Sequence, residues 1–176
     1  VSLVVAVLAL AGMNLLLEQW RGVGFYNPED SSLQFRQMLW ADGLRLIGEH
    51  PWLGVGMDTV LVRWQELGIG AYEKLGFITH FHSNLIQLGV ERGLVGLATW
   101  LLLMATYLWV LARLVRRSCG QDWATHGIAL GVFGGVCGFL ASGLVHYNLG
   151  DSEVAMVLWL LAGVTLALDR FSAEAG

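Results

Sequence analysis

Charge is what this 176-residue chain has least of: only 14% of its residues are Asp, Glu, Lys or Arg, where a soluble domain carries about a quarter. The scarcity is concentrated. Residues 1–17, 93–112, 127–145 and 154–168 hold no charge at all, in runs of 17, 20, 19 and 15 residues. Crossing a hydrocarbon layer of ~30 Å as helix takes roughly 20 apolar residues. With a mean hydropathy of +0.61, these runs exclude a soluble globular domain. They predict an all-α, polytopic membrane protein with about four transmembrane helices. The last run is short, which sets Glu153 or Asp169 close to an interface or thins the bilayer locally.

Other absences narrow the function. The two cysteines, Cys119 and Cys137, fall in a basic loop and mid-membrane, with no CxxC or metal-ligand spacing, so neither a disulfide framework nor a cysteine metal site is expected. A net charge of −4 leaves no nucleic-acid footprint. The Gly54-Val55-Gly56 turn lacks the third glycine and the preceding strand of a nucleotide loop. No acid or base lies inside any apolar run, which counts against an ion-coupled transporter or flippase. The first run begins at Val1 with no Met and no basic flank. It does not read as a signal peptide, and the chain is expected to be the C-terminal piece of a longer protein.

What is present sets topology. Arg113, Arg116 and Arg117 close the second run and Arg170 follows the fourth, and short basic loops stay in the cytoplasm. The expected order is a transmembrane helix over 1–17, a large periplasmic loop over 18–82 and a transmembrane helix over 83–115. A cytoplasmic loop over 116–124, a helix over 125–145, a periplasmic loop over 146–153, a helix over 154–169 and a cytoplasmic tail over 170–176 follow. In the large loop Asn27-Pro28 signals a turn. Phe35, Met38, Leu39, Leu46 and Ile47 then recur at helical spacing, with Arg36 and Trp40 on another flank. An amphipathic helix over 32–49 on or near the membrane surface is predicted, stopped before Pro51, with a second short helix near 59–67. Gly127, Gly131 and Gly135 form a ladder suited to close helix packing.

His82 is the leading chemical candidate, a titratable imidazole where a polar loop meets a long apolar segment; the plainer reading is an interfacial histidine that only bonds the loop. His80 raises the thought of a metal pair, but no third ligand is evident nearby and none is expected. Arg36 either pairs with lipid phosphate or clamps a phosphate of a lipid-linked substrate. Glu91 and Arg92 mark an interface, unless Glu91 lines a polar cavity. His146, Asp151 and Glu153, in the last external loop, read as solvated.

The stretch His82-Ser83, nine residues, Gly93, two residues, Gly96 resembles the H-[NSQ]-x9-G-x-x-G motif of the bacterial O-antigen ligase and O-antigen polymerase superfamily. Arg36 and Trp40 match its R-x3-W start, and Pro51-Trp52-Leu53-Gly54-Val55-Gly56 its glycine turn. The resemblance spans about residues 1–170 and is strongest over 36–96. It implies a membrane glycosyltransferase fold of the C type, truncated here. The implied reaction moves a glycan from undecaprenyl pyrophosphate to an acceptor hydroxyl on lipid A core, on another lipid-linked glycan or on protein. It needs no metal or other cofactor. By the same resemblance His82 is the general base and Arg36 the pyrophosphate ligand, with Ser83, Asn84 and Trp40 beside them in substrate binding. Pro51, Gly54, Gly56, Gly93 and Gly96 are structural, the last two for close packing or isoprenoid passage. An earlier periplasmic arginine of the family precedes Val1. Arg21 has no motif that makes it the substitute, so this piece alone is expected to be inactive.

Overall fold

The computed structural model describes residues 12–13, 15–16, 19–20, 31–70, 80–120 and 123–174. They are helical or irregular, with no strand among them. The chain divides into two compact units, residues 1–38 and 39–176. In the first unit, residues 12–13, 15–16 and 19–20 are helical. Most of the first apolar run, the Asn27-Pro28 turn and Arg21 lie outside the described residues. Helix α1, Ser31–Glu49, begins in this unit and ends in the second.

In the second unit α2 is Thr59–Arg63, α3 Asn84–Ser118, α4 Trp123–Ser142 and α5 Ser152–Glu174. α3, α4 and most of α5 (Ser152–Arg170) are long and apolar enough to cross a membrane. They meet around Leu111, Val132, Val136 and Leu158, with Tyr107, Phe133 and Leu161 packed on that cluster. The Tyr107 hydroxyl lies 3.2 Å from Thr165 Oγ1, which satisfies two hydroxyls inside the apolar contact. At the far end from the histidines, Asp169 faces Arg113 at 3.7 Å and Arg117 at 3.9 Å. The glycine ladder does not make the close approach its spacing predicts. No described atom lies within 4 Å of a Cβ built at Gly127 or Gly131, and Gly135 meets only Leu161.

The short helix is five residues, not nine. It starts after Asp58, whose φ of 56° is left-handed, and gives way to turns through Gly68. Arg45 on α1 donates to the Leu67 and Gly68 carbonyls at 2.9 and 3.0 Å, terminating those turns. The buried side of α1 in this unit is Leu39 and Leu46. Gly43 sits beside the Phe81 ring, and a Cβ at Gly89 of α3 would lie 2.6 Å from Ile47. The apolar face read from the sequence thus covers the histidine loop and the start of α3.

Candidate functional site

α3 is broken where the sequence suggested a notch. Gly93 has φ 66° and ψ −173°, a combination essentially confined to glycine. The break would orphan the carbonyls of Val90 and Glu91 and the amides of Leu94 and Val95. The Pro51–Gly56 turn takes up all four. Val55 N donates to Val90 O (2.8 Å) and Gly56 N to Glu91 O (3.0 Å). Leu94 N donates to Pro51 O (2.7 Å) and Val95 N to Trp52 O (3.4 Å). Gly54, at φ 69°, has no room for a side chain: its Cβ would lie 2.6 Å from Glu91 C. Pro51, Gly54, Gly56 and Gly93 are therefore one device, a turn plugged into a helix break. Gly96, in the next turn of α3, has only the Arg92 side chain against its Cβ position.

Glu91 is buried at 6% exposure, not at an interface. Its Oε1 accepts from Gln87 Nε2 (2.8 Å) and from Asp58 N (3.2 Å). Gln87 Oε1 in turn accepts from Phe81 N at 2.9 Å, and Trp40 Nε1 donates to Phe81 O at 3.0 Å. Both backbone groups of Phe81, itself fully buried, are therefore held. Trp40 anchors the loop, and Ser83 and Asn84 are buried at 3% and 1%.

Asn84 reaches the other external loop. Its amide nitrogen donates to Asn148 Oδ1, its Oδ1 accepts from Leu149 N (3.2 Å), and its backbone N donates to Gly143 O (2.8 Å). Asn148 Nδ2 donates to Phe139 O and Ser142 Oγ at 3.0 and 2.9 Å. Asn84→Ala would strand the Leu149 amide and Asn148 Oδ1, at about 1–3 kcal/mol for each buried orphan. Thermal unfolding of the detergent-solubilised protein is expected to report a loss of that order.

This clasp brings together residues far apart in sequence. His82 stands between the buried Phe81 and Ser83 with φ 49°, an uncommon left-handed conformation for a side-chain-bearing residue. The ring centroid of His80 is 4.4 Å from that of His82 and 6.1 Å from that of His146, and His82 and His146 are 6.2 Å apart. His146 is not simply solvated: its Nε2 lies 3.2 Å from Asp151 Oδ2. Burial first, then the neighbouring His146, pushes the pKa of His80 below the ordinary histidine value, with Asp151 opposing. His80 is thus neutral near pH 7. His146 is also the third imidazole that reading the sequence did not find beside His80 and His82. No local signal pointed to it, because the loops that carry the three meet only through Asn84 and Asn148. Arg36 belongs to the first unit.

Three apolar helices, with a left-handed histidine where the first of them begins, define a polytopic membrane protein with an imidazole-bearing site at one end of its helices. The O-antigen ligase family model matches residues 1–101, and the chain belongs to that family. It is 31% identical over 169 residues to an O-antigen ligase of Pseudomonas aeruginosa, covering 90% of this chain and 38% of that protein. It is 32% identical over 110 residues to the exopolysaccharide production protein ExoQ of Rhizobium meliloti, covering 58% and 23%. The chain thus spans well under half the length of either relative.

Proposed function

We propose that the full protein transfers a glycan from undecaprenyl pyrophosphate to an acceptor hydroxyl at the periplasmic face of the bacterial inner membrane. The observation that carries this reading is the placement of His82: a family-motif histidine, left-handed and fixed by buried neighbours, where the first apolar helix starts. An imidazole titrating near pH 6.5 is suited to taking a proton from a hydroxyl at neutral pH. His82 acts as the base on the acceptor. Arg36 binds the pyrophosphate and steadies the charge that develops on the departing phosphate. Lipid A core is the acceptor that the alignment to the ligase, over 90% of the chain, favours. The similarity to ExoQ favours the second reading, in which the acceptor is another lipid-linked glycan and the product is a longer polymer.

Disrupting the full-length gene in its host, with lipopolysaccharide and undecaprenyl-linked glycan run side by side, separates the two. Long glycan stranded on undecaprenyl above bare lipid A core means ligation. Single repeat units without a ladder mean polymerisation. An unchanged pattern overturns glycan transfer and revives a transporter or a scaffold. In the same assay Arg36→Lys is expected to lose about 10–100-fold in transfer. Lysine keeps the charge but not the two-pronged contact, and one charge-assisted hydrogen bond is worth about 1.5–3 kcal/mol. Wild-type transfer by Arg36→Lys would reduce Arg36 to an interfacial anchor.

A further inference from the structure

His80, His82 and His146 each offer one ring nitrogen, and the three nitrogens lie within 4.8 Å of one another. Two of the rings come from the loop before α3 and the third from the loop between α4 and α5. The polar clasp of Asn84 and Asn148 therefore assembles the cluster, and it is not an accident of one flexible segment. We infer that these three histidines form a binding site for a divalent transition cation of the Zn²⁺ class, its fourth position open to water or to Asp151.

Ligand chemistry and geometry agree. Imidazole suits Zn²⁺, Ni²⁺ and Cu²⁺, and a three-histidine set with an open fourth position is a recurring zinc arrangement. Zinc–nitrogen bonds of about 2.0–2.1 Å in a tetrahedron put the ligand nitrogens about 3.3 Å apart. The cluster must then close by about 1.5 Å or less, which small ring rotations supply. His146 is the ring best able to turn, with 49% of its side chain exposed. Asp151, already 3.2 Å from His146 Nε2, is placed either to orient that ring, as a carboxylate behind a metal-bound histidine commonly does, or to fill the fourth position. A cation here occupies the lone pair with which His82 would accept a proton. Under the glycan-transfer reading, on which this consequence alone rests, Zn²⁺ inhibits the protein.

The test is a Co²⁺ titration of the metal-stripped full-length protein in detergent, followed by the visible ligand-field band of the bound ion. Binding of one equivalent is expected, weakened at least about tenfold in both His146→Ala and His80→Ala. His146 is half-exposed, so its removal spares the fold, which an unchanged size-exclusion profile checks. Curves for both variants that overlay the wild type would overturn the site. So would wild-type binding no tighter than that of the variant lacking all three imidazoles. Zn²⁺ inhibition of transfer, expected in the wild type and shifted at least about tenfold in His146→Ala, gives a second readout. Histidine-dependent Co²⁺ binding without any glycan transfer supports the site and defeats the proposed function. Transfer without histidine-dependent binding does the reverse.

Discussion

His82→Ala in the full-length protein is expected to lower glycan transfer by about 10²–10⁴-fold, the usual contribution of a positioned general base. Membrane insertion and protein level should stay at wild type. The reason lies in how the loop is held. Its anchors are the Phe81 backbone, bonded to Gln87 and Trp40, and the Asn84 side chain, bonded to Asn148 and Leu149. None of these bonds passes through the His82 ring. Alanine at φ 49° is strained there too, at a cost of about 1–2 kcal/mol that histidine largely shares. A stable protein without transfer is therefore the outcome that marks His82 as the base. Transfer within a few-fold of wild type would remove that role and leave His82 as a loop residue.

Gly93→Ala is expected to destabilise the protein by at least about 3 kcal/mol, the largest structural effect among these substitutions. Two costs add. Alanine is forced into a backbone region reserved for glycine, at about 1–3 kcal/mol. Its methyl group would also collide with the Trp52 carbonyl and lie 2.6 Å from Leu53 N, driving the turn out of the break. The four hydrogen bonds exchanged there are then weakened, each worth about 0.5–1.5 kcal/mol net. Gly131→Ala is the matched control: no described atom stands within 4 Å of its Cβ position, and alanine is the better helix former by about 1 kcal/mol. Its melting temperature should match or slightly exceed the wild type. A Gly93→Ala protein as stable as Gly131→Ala would mean that the break is not required.

The membrane character and the all-helical class were legible because they depend on composition and local periodicity. Charge-free runs near 20 residues have few other uses, and the apolar spacing around Leu39 and Leu46 suits only a helix. The glycines of the Pro51–Gly56 turn and Gly93 were legible as a pair of motifs but not as one object. Their connection is a set of backbone hydrogen bonds between segments some 40 residues apart in sequence, and backbone groups leave no trace in residue identity. For the same reason Gly93 read as a notch in a helix, although it breaks one.

By itself, then, the sequence determined which segments are apolar enough to enter a membrane, where the helix formers lie and which histidine carries the family motif. Each of these is a property of neighbours along the chain. Only the tertiary structure decided that Glu91 is buried against Gln87 and Asp58, that Trp40 holds a carbonyl, and that His146 stands beside His80 and His82. Those facts depend on a single polar clasp, Asn84 with Asn148, closing across the ends of α3 and α4. A buried amide pair of this kind is chosen by the geometry that satisfies all its donors and acceptors at once, and that geometry exists only after the helices have met.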